Sequence, residues 1–194
     1  MEVLLSVCLG FGLSAACGFR IFVPFLIMSI ASRSGHLDLA ASFDWIGSDA
    51  AILAFAVASA LEIGAYFVPW LDNLLDSAAT PTAIVAGVLA SAATIEGTSP
   101  LVGWTLAVVG GGSLAAVIQG GTTLLRGASS LMTAGFGNPI VSSAEAGGAV
   151  TLASLAILVP LVAAMFALTV VLAVATRSAR ALARRPALVT GAPD

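Results

Sequence analysis

Apolar residues fill long stretches of this chain, and short polar interruptions divide them. About 20 consecutive apolar residues are enough for a helix to cross a bilayer. The pattern predicts a first span over residues 3–31, a polar loop over 32–50 and a second span over 51–70. A short third helix over 81–96, a fourth over 101–125 and a last span over 148–175 follow. The second span carries the most informative polar positions. Ser59, Glu62, Tyr66, Pro69, Asn73 and Asp76 recur at spacings of three and four, which places them on one helix face. Glu62 lies near the middle of the apolar run, where a carboxylate costs at least about 2.5 kcal/mol and usually faces a bundle interior or a wet cavity.

The first span is longer than a crossing needs, so it is tilted, kinked or built of two pieces. Pro24 and the small run at 14–18 are the places to break it. Gly10, Ser14 and Gly18 form a ridge of small residues that lets another helix approach. Arg20 lies past the middle of this span and must pair, snorkel or line a cavity. Its expected partner is Glu62. The alternative is that the span ends near Gly18 and Arg20 is interfacial. The N-terminal segment carries Glu2 and no basic residue, and reads as part of this span rather than as a cleaved signal.

In the loop, Ser48 or Asp49 can cap the next helix. Asp44 and Trp45 suit an interfacial anchor, while His36 and Asp38 read as solvated loop residues. Pro69 frees the carbonyl of Ala65, and Asp72 and Asp76 read either as an exposed helix end or as an acidic mouth leading to Glu62. Thr80-Pro81 opens the third helix, which at 1.5 Å per residue is only about 24 Å long. Ser99-Pro100 opens the fourth. That helix holds Gly110, Gly111, Gly112, Gly120 and Gly121, tolerable where backbones pack closely or the helix breaks. Gln119 is its buried polar group, an interhelical hydrogen-bond partner or a ligand contact. Residues 126–147 read as a long Gly/Ser/Thr-rich connection containing Asn138-Pro139, and Ser142 with Glu145 as a capping box for the last helix.

Composition turns this pattern into a class. Of 194 residues, 59% are hydrophobic and 9% charged, against about 25% charged in a soluble domain. The mean hydropathy is +1.09. The expected fold is all-α: a polytopic transmembrane helix bundle of about five spans, some broken by glycine and proline. Residues 1–176 form a single transmembrane domain and 177–194 a basic, disordered cytoplasmic tail. Arg177, Arg180, Arg184 and Arg185 put that tail inside by the positive-inside rule. Five spans place the N-terminus outside; four, if the third helix does not cross, place it inside. The first two and last two spans, around Arg20 and Arg126, share a plan of opposite orientation, a candidate inverted repeat of the kind transporters use.

Charge and residue inventory exclude several functions. The net charge of −3 leaves no basic patch for nucleic acid. Without lysine there is no P-loop and no Schiff base. Cys8 and Cys17 point to opposite sides of one helix, so they are apolar fillers and not a pair. No His/Cys cluster has zinc spacing, and neither a metal nor another cofactor is expected.

The strings GLSAACGFRIFVPFL at 12–26, FDWIGS at 43–48, PWLDNLLDSAATP at 69–81 and GFGNPIVSSAE at 135–145 resemble the bacterial integral membrane family called domain of unknown function 4126. The resemblance covers roughly residues 10–175. It implies a small membrane protein with no established activity, and lends no catalytic residues. It draws attention to Arg20, Asp44, Trp70, Asp72, Asn73, Asp76, Asn138, Pro139 and Glu145.

The leading functional expectation is a small transporter or channel-like carrier in the inner cell membrane. The candidate solute or ion contacts are Arg20, Glu62, Tyr66, Asp72, Asn73, Asp76, Gln119 and Asn138. The expected partners are the lipid bilayer, a small polar solute and a second copy of the chain. One alternative is an accessory subunit whose polar residues only join helices. The other is a lipid-processing enzyme using Asp72 and Asp76, with Asp44 expected on the opposite side of the membrane.

Overall fold

A computed structural model describes residues 2–65, 69–133 and 136–183, and the side chains of 69–77, 175, 178, 179 and 181–183 lie outside that description. The described chain is helical, as expected. Helix α1 (Glu2–Cys17) leads through a four-residue break to α2 (Phe22–Arg33), so the first span is built of two pieces. A 3₁₀ turn (Ala41–Gly47) precedes α3 (Asp49–Ala65), α4 spans Pro69–Thr94, and α6 spans Asn138–Leu158 ahead of α7 at Pro160–Ala183. Between α4 and α6 lies α5, a single 34-residue helix from Pro100 to Thr133.

Two helices, α5 and α6, are long and apolar enough to cross a membrane, and the 3₁₀ turn with α3, bent by 67°, makes a third candidate. Shorter apolar helices pack with them. Large apolar side chains such as Leu101, Leu124, Leu131 and Leu158 lie exposed on the outside. A surface of that kind suits hydrocarbon rather than water, so the fold is that of a membrane protein.

Several boundaries differ from the pattern-based reading. The second span is described as α3 up to Ala65 and as α4 from Pro69, and residues 66–68 lie outside the described residues. Of the polar stripe, Ser59 and Glu62 belong to α3, and Pro69, Asn73 and Asp76 to α4. Tyr66 and the side chains of Asp72, Asn73 and Asp76 lie outside the described residues.

Pro81 sits inside α4 instead of starting a helix. Apolar surroundings favour continued helix, because water is not there to satisfy an opened backbone. The same force removes the long connection expected at 126–147, since α5 runs to Thr133 and α6 starts at Asn138. Its hydroxyls are absorbed by the helices themselves: Thr133 donates to the Ser129 carbonyl at 2.7 Å and Ser143 to that of Pro139 at 2.8 Å. Ser142 and Glu145 lie within α6 and are not a capping box. The last span divides at Val159, whose φ of −142° and ψ of 73° end α6 before Pro160. Helix α7 carries Arg177 and Arg180 and continues to Ala183. Ser48 does cap α3, accepting the Ala51 N–H at 3.2 Å.

Helix α1 is the centre of the bundle and touches α4, α5, α6 and α7. Apart from Leu13, its buried residues are small (Cys8, Gly10, Gly12, Ser14, Ala15, Ala16, Cys17), as close helix approach requires. Cys8 and Cys17 are both buried and unbonded to each other. The ridge of Gly10, Ser14 and Gly18 faces α4 and α5. A Cβ added at Gly18 would lie 2.7 Å from the Ala115 carbonyl. Ser14 donates to the Gly87 carbonyl at 2.5 Å and shares a hydrogen bond with Ser91 at 2.7 Å. Replacing Ser14 with alanine leaves a buried serine and carbonyl short of a partner, and is expected to cost about 1 kcal/mol in a reversible unfolding assay.

Where these helices meet, residues Leu106–Gly111 of α5 form a π-turn. Gly111 there packs against the Gly87 backbone. The glycine run thus marks a close crossing and a widened turn, the two uses that a bilayer allows.

Candidate functional site

The break between α1 and α2 assembles the candidate site. α1 ends in tight turns, with Phe19 N–H bonded to the Ala16 carbonyl at 3.0 Å and Arg20 N–H at 3.2 Å. α2 then begins with no local side-chain cap, because neither Ile21 nor its neighbours can supply one. Its first donors are met from another helix. Ile21 N–H donates to Glu62 Oε1 at 2.7 Å and Phe22 N–H to Oε2 at 3.0 Å. Pro24, in the first helical turn, has no N–H to satisfy.

The antiparallel α2–α3 pair explains how Glu62 arrives there. At the far end of the pair, Arg33 Nε donates to Asp49 Oδ1 at 2.8 Å, both side chains being exposed. That hydrogen bond raises the Arg33 pKa above its ordinary value. From Asp49, thirteen residues of α3 at 1.5 Å each return the chain about 20 Å, which brings Glu62 level with the start of α2.

Arg20 lies in the same break and is 1% exposed. Its Nη2 donates to the Ser142 carbonyl at 3.0 Å and to Ser142 Oγ at 2.6 Å, and lies 3.3 Å from Glu145 Oε2. No ion pair joins Arg20 to Glu62 among the described residues. The expected pair is thus corrected: Glu145 takes Arg20, and the α2 backbone takes Glu62. The backbone donors win because an uncapped helix start inside an apolar protein has no other source of acceptors.

Glu145 also meets Arg126. Arg126 Nε donates to Glu145 Oε1 at 3.0 Å and Nη2 to Oε2, a fork that matches the carboxylate edge. Arg126 and Glu145 are each 4% exposed. Among the described residues, two arginines and two glutamates therefore lie buried together. The Arg20 and Arg126 guanidinia also attract the Glu62 carboxylate. Removing such groups from water singly is costly, so each charge needs its neighbours.

The other predicted contacts fall around this cluster. Asn138 exchanges hydrogen bonds with Ser130 at 3.0 and 3.3 Å, joining the start of α6 to the end of α5. It shares a face of α6 with Ser142 and Glu145, at i, i+4 and i+7. Gln119 is buried, and Nε2 reaches Thr123 Oγ1 at 3.5 Å within its own helix rather than across helices. Among the described residues no group of three or more His, Cys, Asp or Glu could hold a metal ion.

Arg126, Ser142 and Glu145 were absent from the predicted site. Their signal was in the spacing: Arg126 and Ser130 are four apart, as are Asn138 and Ser142, and such pairs face one way on adjacent helices. No curated protein and no solved structure matches the chain. A family model described as Domain of unknown function (DUF4126) matches residues 7–180, and with these membrane-type helices the chain belongs to that family.

Proposed function

We propose that the protein is a small membrane carrier for a small polar or charged solute, built around the cluster at the α1–α2 break. One observation carries this reading: Arg20, Glu62, Arg126 and Glu145 are buried together among apolar helices. Ionisable groups at such positions are expensive, and in membrane proteins they mark solute, ion or proton paths. The cluster also sits at an interrupted helix, where backbone donors face inward, an arrangement that transporters use for substrates. Glu62 is the group best placed to respond to a solute, because only backbone donors hold its oxygens among the described contacts.

The test is flux in liposomes containing purified protein, screened over small anions, cations and neutral polar solutes. Wild type is expected to move at least one class, with Glu62→Gln and Arg20→Ala each lowering the rate at least about tenfold, as loss of a buried charged contact implies. Equal flux in empty liposomes and in all variants overturns the carrier. A second reading, an accessory subunit whose polar groups join helices, is favoured by the forked Arg126–Glu145 pair. Under it, no solute moves and both variants lose only stability.

A further inference from the structure

Glu62 occupies the place that a free anion takes at other helix N-termini. Those termini bind anions because their first N–H groups point outward and the helix dipole favours negative charge. Here a carboxylate is seated on two such donors, at 2.7 and 3.0 Å, with the buried Arg20 guanidinium attracting it. The seat therefore demonstrably accepts a carboxylate, supplied by a separate helix.

Two independent observations point to a ligand beyond that internal cap. Ser59 lies one turn before Glu62 on the same face of α3. It is 5% exposed, and its hydroxyl has no hydrogen-bond partner among the described residues. Native proteins rarely leave a buried hydroxyl in that state, so Ser59 is free to bond a polar atom brought beside Glu62. The second observation is a groove of about 230 Å³ with an apolar lining that includes Ile21 and Phe22, the residues whose N–H groups hold Glu62. Phe25, Phe55 and Trp45 wall it. Phe55, Ser59 and Glu62 follow one another at i, i+4 and i+7 on α3, so one helix face grades from aromatic ring to hydroxyl to carboxylate.

We propose that the N-terminus of α2 is an exchangeable carboxylate site, filled by Glu62 when unloaded, and that its ligand is a monocarboxylate whose apolar body lies in the aromatic groove. The two donors match the two oxygens of one planar carboxylate. The groove offers nothing to a second charge. This names the solute of the carrier proposed above and rests on that reading for its biological meaning.

Glu62→Ala removes an acetate-sized group from the seat. In detergent at constant ionic strength, saturating sodium acetate is expected to raise the unfolding temperature of this variant by about 5 °C over sodium chloride. Wild type and Glu62→Gln, whose side chains still fill the space, shift by no more than about 1 °C. Butyrate should act at roughly 16-fold lower concentration than acetate, about fourfold for each of two buried methylenes. Phe55→Ala, combined with Glu62→Ala, should narrow that butyrate-to-acetate ratio.

If Glu62→Ala does not survive purification in chloride, recovery of monodisperse protein in acetate reads the same effect. Equal results in acetate and chloride, including failure in both, overturn the site. An acetate effect without a gain from butyrate overturns the groove as the place of the tail. Butyrate flux in liposomes is scored separately. Rescue without flux leaves the site standing and removes the carrier, whereas flux without rescue does the reverse.

Discussion

Replacing Glu145 with alanine is expected to destabilise the protein by about 3–5 kcal/mol, the cost typical of breaking a buried ion pair from one side. Glu145 is the carboxylate that both arginines share: Arg126 forks onto its two oxygens, and Arg20 lies 3.3 Å from one of them. Without it, two buried guanidinium groups lose the carboxylate that they share. Arg126→Met alone should cost less, because Glu145 then keeps Arg20. Steric trapping or reversible unfolding in mixed micelles measures the series. A loss below about 1 kcal/mol for Glu145→Ala would show that water reaches the cluster and screens it.

The second large effect is steric. Gly111→Val is expected to cost about 3 kcal/mol, at the upper end for overpacking a filled core. A Cβ at Gly111 would lie 2.8 Å from both the Gly87 carbonyl oxygen and Ser14 Oγ. The Gly87 oxygen belongs to a helix backbone and already accepts from Ser14, so neither neighbour can move alone. Relief requires α1, α4 and α5 to separate, which loosens the centre of the bundle. Gly120 is the control in the same helix, since a Cβ there meets nothing within 4 Å. Gly120→Ala should be neutral or gain up to about 1 kcal/mol from helix propensity. Thermal unfolding of the two variants side by side reads the contrast, and similar losses from both would contradict the close crossing.

What could be read from the sequence, and what could not, divides along physical lines. The ridge of Gly10, Ser14 and Gly18 was legible because a spacing of four has one meaning on a helix. The break before Pro24 was legible because an apolar stretch of that length exceeds one crossing. Arg20 and Glu62 stood out by depth. Their partners did not, since a helix cap supplied 40 residues away leaves no local pattern. Residues 126–147 misled for a different reason: Gly, Ser and Thr mark loops in water but close-packed helices where the backbone must satisfy itself. Pro81 misled in the same way. The facing polar positions of α5 and α6 carried the correct signal, in spacing rather than in composition.

The π-turn at Leu106–Gly111 sets the aim of everything that follows it in α5. Each α-helical residue advances the helix by about 100°, and a widened turn holds one residue more than an α-turn does. One residue can therefore be deleted within that turn while Trp104 and Arg126 keep their relative bearings, because the loss only tightens the coil to ordinary pitch. The same deletion a few positions later would swing Arg126 about 100° away from Glu145. The widened turn is thus a length adjuster, the one stretch of this long helix where the chain can be shortened without turning its far end.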